Sequence, residues 1–477
     1  MKKTKILAIA AAAAALCGAA SAATIVVTSR DAAGVGFNDK TVVAPVGGNT
    51  GTTLGEQRLN VYKYVAKVWE QALDSNVTIT VNAGWEALTC SSTSAVLGSA
   101  SAWNIWRDFQ GAKPGTWYHQ ALANKIAGEN LSDGQDDDGT GYGNVDIKTQ
   151  FNVNLGNTGC LDGSPFYLGL DGNAGTKVNF VETLLHELGH GLGFSVLTVT
   201  TSTGARYQNY PSVWEQFMYD NTVGKTWLAM TNNERKASAI NPLQLAWIGP
   251  NTVAAAPMLS NPQSMNVSSP APGYNGFYDY GTATFGPAVS TGYKMGSIVV
   301  PAANKDGCAS FSAADAAAMA GKTAVIDRGT CSFYLKTIAA QAAGATGVII
   351  ANNAAGAAPG MSGADPTIVI PTISVSQADG IKLKAAVAAS VAYGSRGKPG
   401  LVSAVLSLDP SRRAGADALG RPLLYTPNPL VSGSSVSHWD VSAFPNLLME
   451  PNINADLTTI LVPPKDLTKP LLKDLGW

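Results

Sequence analysis

Two histidines and a glutamate in the first half of the chain have the spacing of a metal site. The run His186-Glu187-Leu188-Gly189-His190 has the pattern HExxH. Four residues make about one turn of an α-helix, so both imidazoles project from the same helix face and can bind one metal ion. Glu187 lies beside them, where its carboxylate can take a proton from a metal-activated water. The pattern predicts a hydrolytic zinc site with Glu187 as general base.

The element that carries this motif is predicted to be an amphipathic helix from about residue 178 to residue 191. Its apolar residues repeat at the spacing of one buried helix face and comprise Val181, Leu184, Leu185 and Leu188. A short strand candidate, Phe166–Leu170, comes before the helix. It is a candidate for an edge strand that pairs with an extended substrate, and equally for a core strand.

A catalytic zinc needs a third protein ligand and one open position. Gly193 completes the longer pattern HExxHxxG, in which a ligand follows three residues later, but that position is Val196, which cannot bind zinc. Two residues further along can replace it: Glu215, in the run Trp-Glu-Gln-Phe, and His438, in the run Ser-His-Trp-Asp. The remaining histidine, His119, is interpreted as an ordinary surface or core residue.

Together these motifs resemble a known family. HELGHGLGF, a long insertion, SHWD and then Leu-Met-Glu-Pro are similar to the leishmanolysin-type branch of the metzincin zinc proteases. The resemblance implies that His438 joins His186 and His190 as the third ligand, that Gly193 turns the chain after the helix, and that Met449 forms a methionine turn beneath the metal. It further implies an α+β core, in which a twisted sheet carries the active-site helix.

The inserted block has a resemblance of its own. The runs AVIDRGTCSF and GVIIANN, at residues 324–333 and 347–353, are similar to protease-associated (PA) domains. Strands and helices alternate through this block, which predicts a small α/β unit. The predicted elements are strands at 323–327, 347–351, 367–370 and 373–375 and helices at 334–343 and 377–389. We therefore expect a protease core that is interrupted by a PA domain.

This organisation gives the expected domain boundaries. The protease core comprises residues 23–265 and 409–477, and the PA domain comprises residues 276–400. Polar stretches rich in glycine and proline, at 261–275 and 409–421, are interpreted as the linkers between them. The final segment, 422–477, is too short to be a convincing domain and is expected to complete the core.

The first 22 residues are predicted to be a signal peptide. Lys2, Lys3 and Lys5 precede an apolar run from Ile6 to Leu16, and Ala-Ser-Ala at residues 20–22 is a typical cleavage site. No later stretch has the roughly 18 apolar residues of a membrane span. We expect an exported protein that is secreted or periplasmic.

Export changes the interpretation of the cysteines. After the leader four remain, Cys90, Cys160, Cys308 and Cys331, and an even number in an oxidising compartment predicts two disulfides. Three pairings are possible. Proximity along the chain favours Cys90 with Cys160 and Cys308 with Cys331.

The charge of the chain excludes one class of partner. One acidic loop adds a further candidate cofactor. The formal net charge is -1 and no basic cluster is present, so the sequence lacks the electrostatic signature of a nucleic-acid-binding protein. The loop with Asp133, Asp136 and Asp138 could bind Ca²⁺, but it fails the EF-hand spacing, and a solvated acidic loop is the better interpretation.

The sequence thus predicts a zinc-dependent endopeptidase that cleaves proteins or peptides. Two alternatives stay open. One is a Glu-ligated, thermolysin-like peptidase that uses Glu215. The other is a non-catalytic secreted binding protein built around the PA domain, which the intact Glu187 disfavours.

Overall fold

The structure is a computed structural model that describes residues 22–133, 144–394, 400–454 and 456–477. Its chain divides into two compact units. The first unit comprises the chain up to Ser260 together with Ala414–Trp477, and the second comprises Asn261–Arg413. Both units mix helices and strands, and the second interrupts the first in sequence.

The helices and strands are numbered in chain order. The helices are α1 Leu54–Ala72, α2 Gln120–Ala127, α3 Phe180–Gly191, α4 Asn232–Ser238, α5 Pro250–Ala255, α6 Ala313–Met319, α7 Phe333–Ala342, α8 Gln377–Ser390 and α9 Thr468–Leu475. The strands of the first unit are β1 Ile25–Ser29, β2 Ile79–Glu86, β3 Cys90–Ser91, β4 Ser94–Ala95, β5 Gly98–Ala102, β6 Ile105–Trp106, β7 Tyr118–His119, β8 Ile147–Asn152, β9 Phe166–Tyr167, β10 Val178–Asn179, β11 Met218–Asp220, β12 Lys225–Thr226 and β13 Leu245–Trp247. Those of the second unit are β14 Gln263–Ser268, β15 Gly276–Tyr278, β16 Tyr280–Thr282, β17 Lys294–Val299, β18 Thr323–Asp327, β19 Gly347–Ala351, β20 Thr372–Val375 and β21 Ser403–Leu408.

The main sheet of the first unit has the order β1-β2-β8-β5. Its first three strands are parallel, and β5 pairs with β8 in the antiparallel direction at the end of the sheet. The helices α1 and α3 share one hydrophobic core with these strands, to which α1 contributes Val61, Val65 and Trp69. The sheet therefore forms the support on which the motif helix α3 is fixed.

The two long helices of this unit begin at side-chain caps. At α1, the Thr53 hydroxyl accepts a hydrogen bond from the Glu56 backbone, and the Glu56 carboxylate accepts one from the Thr53 backbone. At α3, the Asn179 side chain accepts from the Val181 backbone at 3.1 Å. The motif helix accordingly begins at Phe180, two residues later than the periodicity predicts, because Val178 and Asn179 form β10.

The second unit is built on one eight-stranded sheet, in the order β15-β14-β21-β17-β18-β19-β20-β16. Strands β17 to β20 are parallel, and the outer strands are antiparallel. The strands β18 and β19 coincide with the predicted ones and are almost wholly buried, as continuous apolar runs in parallel sheets usually are.

Two sequence assignments in this unit are corrected by the structure. Residues 261–275, interpreted as a linker, contain β14, which pairs with β21 along six residue pairs. The sequence of β14 is mostly polar, so its buried residues give no apolar periodicity. Residues 367–370 form no strand, and the chain enters the sheet only at Thr372.

Both disulfides have the predicted pairing. Cys90 is bonded to Cys160 within the first unit, and Cys308 is bonded to Cys331 within the second. Among the described residues, none of the helices is both long and apolar enough to cross a membrane.

Two predictions fall largely outside the described residues. Of the signal peptide only Ala22 is described, and of the calcium loop only Asp133, because Asp136 and Asp138 are not described. Asp133 is exposed, and its backbone N–H donates to the carbonyl of Asn130. The described residues give no support for calcium at this loop.

Candidate metal centre and cleft

Three histidines from distant parts of the sequence converge at the middle of α3. His186 and His190 lie one turn apart on the helix, and His438 reaches them from the segment that follows the second unit. The Nε2 atom of His190 lies 3.1 Å from that of His186 and 3.1 Å from that of His438, and the third Nε2–Nε2 distance is 3.3 Å. Nitrogen ligands about 2.0–2.1 Å from one tetrahedral zinc lie roughly 3.3 Å apart, so this set has the dimensions of a zinc site.

The other ring nitrogen of each histidine is fixed by a backbone carbonyl. The Nδ1 atom of His186 lies 2.7 Å from the carbonyl oxygen of Leu448. That of His190 lies 2.7 Å from the oxygen of Phe194, and that of His438 lies 2.8 Å from the oxygen of Ser434. A carbonyl only accepts, so each Nδ1 carries the proton and each Nε2 keeps its lone pair. All three lone pairs therefore face one point, which is the arrangement that metal-binding histidines show.

Burial favours the neutral form of these rings. Desolvation lowers the pKa of His186 to about 4 and that of His190 to about 3. Burial and the two neighbouring rings also hold the pKa of His438 well below its ordinary value. Since only a neutral imidazole can donate a lone pair to a metal, the site keeps its ligands in the competent form at neutral pH.

The chain leaves α3 through a glycine turn. Gly193 has a φ of 115°, a backbone conformation that residues other than glycine rarely adopt. The turn brings the Phe194 backbone N–H to the Gly189 carbonyl and the Phe194 carbonyl to His190. Val196 follows with its N–H 3.2 Å from the Ser437 hydroxyl, so the turn joins the helix to the segment that carries His438.

Met449 lies against the helix at Gly189, between the two histidines of the motif. It is fully buried, and a Cβ atom placed on Gly189 would lie only 2.6 Å from its sulfur. A larger residue at position 189 would therefore displace the Met449 side chain. The Met449 carbonyl accepts from the Trp439 backbone at 2.9 Å, which ties this turn to the residue after His438.

Glu187 is buried between α3 and the edge of the main sheet. Burial raises the pKa of its carboxyl to about 8, while a hydrogen bond from the backbone of Ala100 in β5 lowers it in part. A carboxylate with raised proton affinity beside a metal site is suited to general-base chemistry.

The two other candidate residues lie elsewhere. Glu215 is fully buried, with its carboxylate oxygens 2.7 Å from Arg206 Nε and 2.8 Å from the Thr198 hydroxyl. It does not belong to the histidine group. The Glu-ligated alternative is wrong for this structure, because an ion pair already occupies that carboxylate. His119 is a buried core residue whose Nε2 lies 2.9 Å from the Ser195 hydroxyl.

A cleft of about 1200 Å³ opens over the histidines. The lining includes residues of β5 and residues 432–434, and residues 451–454, β10 and the loop before it also contribute. The edge strand of this cleft is β5, whereas Phe166 and Tyr167 of β9 pair with β10 and do not line it. Sequence reasoning missed β5 because its alternating residues, Gly-Ser-Ala-Ser-Ala, are small and give little hydrophobic signal.

A buried carboxylate supports the site from the C-terminal segment. Asp466 Oδ2 accepts a hydrogen bond from the Leu448 backbone at 2.7 Å, and Oδ1 accepts from the Thr468 backbone at 2.6 Å. The carbonyl of the same Leu448 fixes His186. Sequence gave no signal for this contact, because an Asp two residues before Thr468 looks like an ordinary helix cap.

Comparisons with known proteins identify one part of the chain. Residues 266–383 match the family model "PA domain". No curated protein matches the chain. The comparisons identify a PA domain here, and they do not identify the remaining residues as metzincin or leishmanolysin.

Solved structures show only weak similarity. BSAP, a zinc aminopeptidase from Bacillus subtilis, is 20% identical over 33% of this chain and 36% of its own, with a TM-score of 0.21. The aminopeptidase from Aneurinibacillus sp. strain AM-1 is 17% identical over 41% of each chain, with a TM-score of 0.21. A peptidase M28 precursor from Shewanella amazonensis SB2B is 19% identical over 31% of this chain and 35% of its own, also at 0.21. The chain thus spans less than half of these structures, and function must be argued from its own site.

Proposed function

We propose that this chain is an exported zinc metalloendopeptidase with a metzincin-like core of the leishmanolysin type, interrupted by the PA domain. The observation that carries the proposal is the convergence of three Nε2 atoms at 3.1 to 3.3 Å beside a buried glutamate. The proposed ligands are His186, His190 and His438. Met449 and Gly193 would form the methionine turn and the glycine turn of such a core.

The residues of the site have separable tasks in this proposal. A zinc ion bound there supplies Lewis-acid activation of water and of the scissile carbonyl. Glu187 takes the proton of the attacking water and delivers it to the nitrogen of the departing amine. The carbonyls that fix the three Nδ1 atoms hold the ligand rings in place, so that Glu187 keeps its position relative to them.

The cleft supports a peptide substrate. β5 is the last strand of its sheet, so among the described residues its outer backbone groups have no strand partner. An extended peptide can pair with such an edge through its main chain, independently of its side chains. Ala100, in the middle of β5, is also the residue that hydrogen-bonds to Glu187, so a paired peptide would lie across the general base.

Export is supported by the cysteines. Two disulfides, Cys90–Cys160 and Cys308–Cys331, are typical of an oxidising compartment and rare in the cytosol. Together with the leader-like first 22 residues, they support a secreted or periplasmic enzyme.

The metal content of two variants tests the ligand set. Purified wild type should hold about one zinc per chain. His438→Ala should lose the metal and the cleavage of casein, whereas Glu215→Gln should keep both. Retention of zinc by His438→Ala at the wild-type level would contradict the proposed ligand set. Retention of the fold in each variant is checked by thermal unfolding.

A further inference from the structure

A serine and a histidine that have no part in the proposed chemistry lie together at the cleft. The Ser195 hydroxyl oxygen lies 2.9 Å from the Nε2 atom of His119. Ser195 is half-buried and lines the cleft together with the three histidines of the candidate metal site. His119, at the end of β7, is buried and does not line the cleft. The pair therefore has one member that a substrate can contact and one that it cannot.

Both chain neighbours of Ser195 are bonded to the candidate metal site. The carbonyl of Phe194, just before it, lies 2.7 Å from Nδ1 of His190. The N–H of Val196, just after it, lies 3.2 Å from the hydroxyl of Ser437, the residue before the third histidine. These two bonds fix the backbone of Ser195 relative to the histidine group, so its side chain has a defined place in the cleft.

The surroundings of His119 decide which of the two side chains donates. Burial lowers the pKa of His119 to about 4, so the ring is neutral at neutral pH and carries one N–H. Its Nδ1 atom is buried beside Gly193, where an added Cβ would lie 3.4 Å from it, and has no hydrogen-bond partner among the described residues. A proton on Nδ1 would be a buried donor without an acceptor, which folded proteins rarely contain. The proton therefore belongs on Nε2, which donates to Ser195.

The Ser195 hydroxyl keeps its own proton for the cleft. A hydroxyl can accept two hydrogen bonds and donate one, and the bond from His119 uses one of the acceptor positions. Within the described part of the chain, this bond is the only one that the hydroxyl makes. The oxygen is thus held in place while the O–H has no acceptor in the protein. A donor that is already held in place loses little conformational freedom when it binds a ligand.

We propose that Ser195 donates a hydrogen bond to a main-chain carbonyl of the bound peptide, and that His119 holds the hydroxyl for this contact. The proposal deepens the proposed endopeptidase function and rests on it. Main-chain carbonyls are the acceptors that every extended peptide offers at regular spacing, whatever its side chains. Ser195 is then a substrate-binding residue in addition to the edge of β5. His119, which lies outside the cleft, is a positioning residue.

The first test separates binding from turnover on a fluorogenic peptide. Ser195→Ala removes the donor, so KM should rise about two- to tenfold, as expected for one neutral hydrogen bond, while kcat stays near that of wild type. His119→Phe keeps a buried ring but removes both nitrogens, and it should raise KM by a similar factor. His119→Gln retains an amide N–H for Ser195 and should restore most of the affinity. The double variant Ser195→Ala/His119→Phe should bind no worse than Ser195→Ala, because both residues act through one bond.

A matched control removes the same kind of hydrogen bond elsewhere in the first unit. The indole N–H of Trp227 donates to the hydroxyl of Ser238 at 3.0 Å, where both residues are buried and lie outside the cleft lining. Ser238→Ala should lower the temperature of thermal unfolding and leave KM unchanged. His119→Phe should raise KM without a matching loss of stability, because it removes the buried donor together with the unpaired nitrogen. A KM that follows the unfolding temperature across these variants overturns the proposal.

A second test keeps this proposal separate from the proposed function. Binding of the peptide to Glu187→Gln, measured by fluorescence anisotropy, reports recognition without hydrolysis. Weaker binding by Glu187→Gln/Ser195→Ala supports the contact even if no peptide is cleaved. Replacing one carbonyl oxygen at a time by sulfur, a weak acceptor, within about three residues of the expected cleavage point identifies the bonded carbonyl. At one position the sulfur should weaken binding to Glu187→Gln and have no effect once Ser195 is also replaced. Equal affinity of the single and double variants for the unmodified peptide overturns the proposal.

Discussion

The Nδ1 atom of His186 lies 2.7 Å from the carbonyl oxygen of Leu448, a residue 262 positions later in the chain. The backbone N–H of Leu448 in turn donates to Asp466 at 2.7 Å. The first histidine of the motif is therefore oriented by the segment that follows the second unit. A proposed metal ligand encoded before the insertion takes its final position only when residues after it are folded in place.

The link through Leu448 predicts a role for Asp466 in zinc affinity. Asp466 is fully buried, and Asp466→Asn replaces one acceptor oxygen by a donor that cannot receive the N–H of Leu448 or Thr468. The backbone at Leu448 should shift, and we expect zinc affinity to fall by roughly 10- to 100-fold, as when outer partners of metal ligands are removed. Competition with a chelator of known affinity measures this.

A second, half-buried capping carboxylate provides the control for Asp466. Asp474 accepts hydrogen bonds from Thr252 and Asn251 at the start of α5 and does not touch the histidine group. Asp474→Asn should lower thermal stability while zinc affinity stays near that of wild type. If both variants lose zinc affinity equally, Asp466 acts only through general stability.

The disulfides should stabilise the two units separately. Cys90–Cys160 closes a loop of 70 residues and Cys308–Cys331 one of 23. From loop entropy, these correspond to about 4 and about 3 kcal/mol of unfolding free energy. All ten tryptophans lie outside Asn261–Arg413, so tryptophan fluorescence in urea reports the first unit alone. The double variant Cys90→Ala/Cys160→Ala should shift this transition to lower urea, whereas Cys308→Ala/Cys331→Ala should leave it in place.

Local patterns predicted the elements that carry strong signals. The strands β18 and β19 are continuous apolar runs and have the predicted bounds, and the helices α3, α7 and α8 are within two residues of theirs. Such elements can be predicted because their burial sets the spacing of apolar residues along the sequence. The strand β14 was missed because its side chains are mostly polar and its pairing with β21 is distant in sequence.

The residues of the site likewise comprise some that the sequence predicts and some that it does not. His186, Glu187 and His190 are fixed by helical spacing, so sequence alone brings them together. His438 was one of two candidate ligands in the sequence, and the family resemblance selected it, because no local rule links it to His190 across 248 positions. The contacts of His186 and Asp466 with Leu448 carry no sequence signal. Both involve backbone groups of Leu448, and the backbone is the same at every residue.

The central claim is that Glu187 performs the proton transfer of a zinc peptidase. Glu187→Gln keeps the size of the side chain and leaves all three imidazoles untouched, so the variant should still hold about one zinc per chain. It cannot accept a proton, and its kcat on a casein-derived peptide should fall by at least about 100-fold, as expected when a general base is lost. The most direct measurement is this kcat on protein whose zinc content has been determined. Zinc-loaded Glu187→Gln without detectable turnover is the predicted result, and zinc-loaded Glu187→Gln with near wild-type turnover would contradict the account.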